Sequence, residues 1–274
     1  LKLILANEKM LNATIVNEFK QTKEKYGSPR FTAIEDQVSE ITIDKTMMIA
    51  NERVMVSASY DGYVKRVSLK SYTASNSLLP GLKQNDHLVT CGQADTLSTL
   101  ILVSKNGYYG YLPVYKMDEG KWKDIGEHIN KYVKFEDNDK IVGCFIVNNF
   151  KTAAWLITYT KAGLIKKTPI DNLELSRYSK AAVLTKLKKN DEVIFANICY
   201  DNDQIISCSK QGYITRFNLD DITMTAPKGQ GVRGIKLAMD DELASACILP
   251  SNQNYQYVLI HGDDNLVKRV KLDV

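Results

Sequence analysis

Apolar positions in the first 26 residues recur with a helical period. Ile4, Leu11, Ile15 and Phe19 are spaced by seven, four and four residues, one stripe of a 3.6-residue repeat. Leu1 and Leu5 widen the stripe, and Lys9, Asn12, Lys20 and Lys23 occupy the opposite face. Gly27 stands where a C′ residue belongs and Pro29 follows. The pattern therefore predicts a helix over 1–26 that stops there. A lone stripe needs a partner: either the domain that follows, or the other arm of a helical hairpin.

After residue 45 the period changes to that of short strands, and the pattern repeats about every 50 residues. One repeated element is a β-hairpin: an apolar strand, a polar turn with Gly, and a strand of alternating residues that ends in basic side chains. Its copies occupy residues 56–66, 102–109, 157–167, 206–216 and 259–269, with Gly62, Gly107, Gly163, Gly212 and Asn265 at the turn. Asn is the next best residue for positive φ, so the fifth copy keeps the turn chemistry. A second element runs from an apolar residue to an Asp four positions later: Leu82 to Asp86, Phe135 to Asp139, Leu187 to Asp191 and Leu237 to Asp241. From each Asp to the next turn residue (86 to 107, 139 to 163, 191 to 212, 241 to 265) the interval is 21 or 24 residues.

Units of three or four short strands at this period predict a radial, propeller-like array rather than a sandwich. The expected fold class is all-β with five visible blades, a sixth left open, preceded by one helix. The expected divisions are a helix at 1–26, a linker at 27–45 and the β domain at 46–274.

Basic side chains recur at the end of the hairpins: Lys65 and Arg66, Lys166 and Lys167, Arg216, Lys268 and Arg269. The second copy departs, with Gly110 and Tyr111 in those places. A second series, Lys134, Lys186 and Lys236, stands five residues before the repeated Asp. In a radial fold equivalent positions share one rim. These cations therefore form a curved stripe suited to the phosphates of a bent duplex, without base-reading groups. Guarding of exposed strand edges is the competing explanation for each of them. Adjacent members of a pair point to opposite faces of their strand. The loop 227–237 carries three glycines with Lys228, Arg233 and Lys236. It suits either phosphate contact or a plain link between blades. Tyr63, Tyr108 and Tyr213 follow the turn residue and fit half-buried strand positions.

Composition narrows the function further. The 274 residues are 44% hydrophobic and 25% charged with a net charge of +4, the balance of a soluble globular protein. No apolar run reaches the ~18 residues of a membrane span. Charges interrupt any signal-peptide core. The chain begins on Leu1 rather than Met, so it is expected to be part of a longer protein. The five cysteines are odd in number and form no CxxC, as in a reducing cytosol. Three scattered histidines give no zinc site or catalytic constellation, and no GxxxxGK[ST], GxSxG or HExxH occurs. No metal and no catalytic residue is expected.

Two runs, Asp61-Gly62-Tyr63-Val64-Lys65-Arg66 and Gly231-Val232-Arg233-Gly234-Ile235-Lys236-Leu237, resemble the blade motifs in the C-terminal domain of type IIA bacterial topoisomerase A subunits. Residues 25–34 resemble the segment leaving the last helix of that family's breakage-reunion core, with Arg30-Phe31-Thr32 where Arg-Arg-Thr is usual. Residues 122–128, from Trp122 to His128, are similar to the second blade of topoisomerase IV A subunits of Gram-positive bacteria. The resemblance covers nearly the whole chain.

The resemblance implies a β-pinwheel, with strands exchanged between blades and a basic outer rim that binds and bends duplex DNA. On that reading the contact candidates are the basic residues of the hairpins and the 227–237 loop: Lys65, Arg66, Lys166, Lys167, Arg216, Arg233, Lys236, Lys268 and Arg269. The stretch 71–83 lacks the glutamine- and glycine-rich basic box of gyrase. This favours decatenation and relaxation by topoisomerase IV over supercoiling, with a degenerate gyrase or a generic propeller scaffold for proteins as alternatives. The catalytic tyrosine would lie in the absent core, and ATP and Mg elsewhere in the holoenzyme, leaving no cofactor here. Expected partners are duplex DNA, the B subunit of topoisomerase IV and a second copy of the A subunit, in the bacterial cytoplasm at the nucleoid and away from membrane.

Overall fold

The computed structural model describes residues 2–29, 31–32, 48–76, 79–262 and 266–272. The chain divides into two units, residues 1–44 and 45–274.

In the first unit, α1 (Lys2–Leu5) and α2 (Glu8–Tyr26) replace the single expected helix. Asn7 makes the break. It is extended, with φ −129 and ψ 107, and its side-chain oxygen accepts the Lys9 N–H at 3.0 Å, capping α2. Gly27 also departs from a left-handed C′ residue: its φ is −67 and its N–H donates to the Lys23 carbonyl at 2.8 Å. A Cβ there would lie 2.3 Å from that oxygen, so glycine serves close approach rather than positive φ. No residue of α2 is buried. Most of the expected linker, residues 30 and 33–45, lies outside the described residues, and with it part of the 25–34 motif.

The second unit contains five antiparallel hairpins where five were expected: β1 (Arg53–Ser59) with β2 (Tyr63–Ser68), β4 (Thr99–Ser104) with β5 (Tyr108–Pro113), β8 (Trp155–Thr160) with β9 (Leu164–Pro169), β12 (Gln204–Ser209) with β13 (Ile214–Asn218), and β16 (Tyr257–His261) with β17 (Val267–Lys271). Gly62, Gly107, Gly163 and Gly212 have φ between +79 and +88, the left-handed turn conformation that costs glycine least. Asn265 lies outside the described residues. A short helix, α3 (Leu69–Ala74), follows the first hairpin.

Four more strands flank the hairpins on one side: β3 (Leu88–Asp95) on β1, β7 (Ile141–Val147) on β4, β11 (Val193–Cys199) on β8, and β15 (Leu243–Leu249) on β12. These four also lie against one another in succession, which puts them on the inside. Three short strands pair on the other side, and each arrives from the wrong unit. β6 (Glu127–His128) follows the second hairpin but pairs with β2 of the first. β10 (Ala182–Val183) follows the third hairpin but pairs with β5. β14 (Val232–Arg233) follows the fourth but pairs with β9. Three sheets therefore have four strands and an outer edge donated by the next unit, while the fourth has three strands, β13-β12-β15.

The cores lie between successive sheets. Val56 and Val64 of the first sheet share a cluster with Leu100, Leu102 and Ile141 of the second. Ile101 and Val103 face the other way, onto Leu156, Leu184 and Val193. Alternation along β4 thus feeds two cores, and all six of its residues are buried.

The repeated Asp has a specific job. Its Oδ1 accepts the N–H of the residue before the turn glycine: Asp86 from Asp61, Asp139 from Asn106, Asp191 from Ala162 and Asp241 from Gln211, at 2.9 to 3.2 Å. Each also accepts the N–H of the residue that follows it. The Asp therefore clasps the hairpin behind it, not the one ahead from which the sequence interval was counted. Neighbouring sheets are latched at the same level. Ile141, Val193 and Leu243 donate N–H to the carbonyls of Tyr60, Lys105 and Lys161 at 2.8 to 2.9 Å. Ion pairs Lys140–Asp61, Lys105–Glu192 and Lys161–Glu242 cross the same seams.

Candidate nucleic-acid interface

Three of the nine candidate cations are interior. Lys65, Lys166 and Lys167 are 3%, 2% and 4% exposed. The Lys65 ammonium donates to the carbonyls of Gly81 at 3.2 Å, Trp122 at 2.7 Å and Asp124. Lys166 donates to the Leu184 carbonyl at 2.5 Å. Lys167 donates to the Leu219 carbonyl at 3.0 Å and pairs with Asp220 at 3.1 Å. Burial pulls the pKa of Lys65 and of Lys166 down to about 8. All three side chains are fasteners. Lys65 ties the exit of the first hairpin to the segment that delivers β6. Lys166 holds the residue after β10, and Lys167 holds the turn after β13. They face protein, so their place among surface contacts is corrected here.

The departure in the second hairpin fits this reading. Gly110 stands where Lys65 and Lys166 stand in their hairpins. A Cβ on it would lie 2.7 Å from Cζ of Phe135, so a ring from the donated segment fills the space a fastening lysine takes elsewhere. Tyr111, in the place that Arg66 and Lys167 take in their hairpins, joins an aromatic column with Phe150 at 5.4 Å and Tyr178 at 5.5 Å.

The remaining candidates differ among themselves. Arg66 is half-buried. Arg216 is exposed but tied, donating to Gln204 at 2.8 Å and to the Leu272 carbonyl at 2.6 Å. The Arg269 guanidinium lies 4.6 Å over the Tyr257 ring, and Lys268 is exposed beside it. Arg233, on the donated strand β14, and Lys236 are exposed. Tyr63 packs edge-on to His128 at 5.4 Å, and Tyr108 packs against the first core. Tyr213 is 63% exposed.

The second basic series behaves uniformly. Lys134, Lys186 and Lys236 are all exposed, and all lie just beyond the donated strands at the outer edge of their sheets. Backbone hydrogen bonds join successive outer segments and gather further cations. Lys134 bridges Lys180 in parallel. Lys228 donates its N–H to the Leu184 carbonyl at 3.0 Å, and Lys186 donates its own to Gly229 at 3.3 Å. Lys228 adopts φ +71, a conformation that costs a lysine about 1 kcal/mol.

A family model described as the DNA gyrase C-terminal domain, β-propeller, matches residues 98–148, 154–199 and 203–246, one stretch for each of the second, third and fourth hairpins. The chain belongs to this family. Among its relatives is the A subunit of DNA topoisomerase 4 from Bacillus subtilis (strain 168), 34% identical over 99% of this chain and 33% of that protein. Its counterpart in Staphylococcus aureus (strain MRSA252), which carries the same name, is 32% identical over 88% of this chain and 30% of that protein. A crystal structure of the C-terminal domain of DNA topoisomerase IV superposes with a TM-score of 0.75 at 29% identity, covering 82% of this chain and 69% of that one. The chain spans about a third of the length of the curated relatives it matches.

For a gyrase-type C-terminal domain, the informative basic residues are those that sequence reasoning reached only in part. The Asp-based register found Lys134, Lys186 and Lys236. It missed Lys180, and Lys228 was reached only as part of the 227–237 loop; both join the series through pairing between segments dozens of residues apart. Among the described residues no three of His, Cys, Asp or Glu converge as a metal site. Cys144 and Cys199 are buried, and burial pushes both thiols up to about 12.

Proposed function

We propose that this chain is the DNA-binding C-terminal domain of a topoisomerase IV A subunit. Its outer edge holds a duplex that flanks the catalytic core and presents it for decatenation and relaxation. The observation that carries the reading is the exposure, at equivalent outer positions, of Lys134, Lys186 and Lys236, each beside a donated strand. Repeated point charges without base-reading groups suit backbone binding that is indifferent to sequence. The stretch that carries the basic box in gyrase supports topoisomerase IV over gyrase. Here it begins with the last turn of α3 and is tied down at Gly81, which donates its N–H to the Trp122 carbonyl at 3.0 Å and accepts from Lys65. Catalysis belongs to the core and ATP use to the B subunit, in the bacterial cytoplasm.

Titration of the chain with a random-sequence duplex at two salt concentrations, with a bending readout, tests this. The expected result is binding that ignores sequence, weakens steeply with salt and bends the duplex. Absence of binding at low salt would reject it.

A further inference from the structure

At the seam between the first two sheets the outer segments are stitched together. Lys134 donates its N–H to the Ser179 carbonyl, and Ala181 donates to the Lys134 carbonyl, both at 3.0 Å. Beside this joint opens a groove of about 460 Å³ whose lining includes Lys116, Lys131, Tyr132, Ser176, Arg177 and Tyr178.

Charge in the groove is unbalanced. Lys131 is neutralised by Asp118 at 2.6 Å and Glu127 at 3.3 Å. Among the described residues Lys116, Arg177, Lys134 and Lys180 form no ion pair. All four are exposed. Lys116 is nevertheless held in place. Its ammonium lies 5.0 Å over the Tyr178 ring, and its hydrogen bond lowers the Tyr178 phenol pKa. The Tyr178 ring leans on Tyr111, which stacks on Phe150. A cation fixed by packing loses little freedom on binding an anion. Arg177 adds a planar fork that fits a phosphate bidentately. Ser176 and Ser179 bring hydroxyl donors to the same wall.

We propose that this seam groove anchors a backbone phosphate of the duplex between Arg177 and Lys116, with Lys134 and Lys180 holding the neighbouring phosphate. The inference rests on the DNA-binding reading above and makes it specific: contacts concentrate where two sheets join, not at the centre of a sheet. Continuity with Lys186 and Lys236 along the same edge favours a phosphodiester over the carboxylates of an acidic peptide. The next seam repeats the arrangement more simply, with Lys186 and Lys228 brought together by their backbones.

The test compares two double variants of the full chain for binding to a random-sequence duplex at several salt concentrations. K116Q/R177Q removes the anchor. K188Q/K189Q removes the same charge from exposed lysines that precede the Asp191 clasp. The anchor variant should bind about tenfold more weakly, with a salt slope shallower by roughly two. The control should stay within about twofold of wild type. Equal binding by the two variants, with wild type still binding duplex, would overturn the anchor and leave the DNA reading standing. Failure of wild type itself to bind would overturn both.

Discussion

Lys167 and Arg216 occupy the same place in successive hairpins, four residues past the turn glycine, yet one is buried and the other exposed. The strands beneath them do not differ in kind. What differs is the cover. In the third sheet β14 arrives from the next unit and pairs with β9, and the segment that leads up to it closes over Lys167, with Met224 bridging Lys167 and the Leu219 carbonyl accepting from its ammonium. In the fourth, among the described residues, no strand pairs with the outer side of β13, whose residues alternate between exposed and half-buried. Arg216 there reaches the Leu272 carbonyl instead. A cation at a repeated position is therefore a fastener or a surface charge according to what the following unit lays over it.

The largest effect expected from this contrast is on stability. K65M and K166M each leave buried carbonyls without their donor, at a cost of about 2–3 kcal/mol. R216M, in the uncovered sheet, should cost less than about 1 kcal/mol. Urea unfolding of the three variants checks this, with Trp122 fluorescence as a local probe for the first. Equal losses at all three positions would erase the distinction.

A second contrast is steric. In the covered first sheet a Cβ on Gly62 would lie 3.2 Å from Ile129 and 3.3 Å from His128, and the glycine has φ +88. Gly212 has nearly the same φ, +86, but nothing within 4 Å of a built Cβ. G212A should cost about 1 kcal/mol for the conformation alone, and G62A roughly twice that. Thermal unfolding of the pair isolates the contribution of the donated segment.

A further effect is pH-dependent. Lys65 and Lys166 have folded pKa values near 8 against 10.5 for the free side chain. Between those limits the unfolded chain binds more protons at these sites, so their contribution to stability rises with pH. Buried Cys144 and Cys199, shifted upward, act in the opposite direction above pH 9. The measurable quantity is the difference from wild type. K65M or K166M should lose ground relative to wild type as pH goes from 8 to 10.5.

The sequence was most legible where the chemistry is local. Four described turns carry the expected glycine at positive φ because only local sterics decide that conformation. The repeated Asp is visible too, but only as an interval to the next turn; its hydrogen bonds run to the hairpin before it, which spacing alone does not reveal. The N-terminal stripe concealed the break at Asn7, whose capping side chain outweighs the helical pattern around it. Burial of Lys65, Lys166 and Lys167 was illegible because their cover comes from segments 16 to 59 residues away. Lysine rarely buries, so a surface role was the default. Lys134, Lys186 and Lys236 were found because they keep fixed register with a locally defined Asp.

On the proposed function, the donated outer segments carry the duplex while the hairpin lysines hold those segments in place. Salt-dependent duplex binding by the K134Q/K186Q/K236Q variant, beside K65M under conditions where K65M remains folded, tests it most directly. The triple variant should lose roughly three units of salt slope while K65M keeps the wild-type slope. An unchanged slope in the triple variant, or a loss confined to K65M, would contradict it.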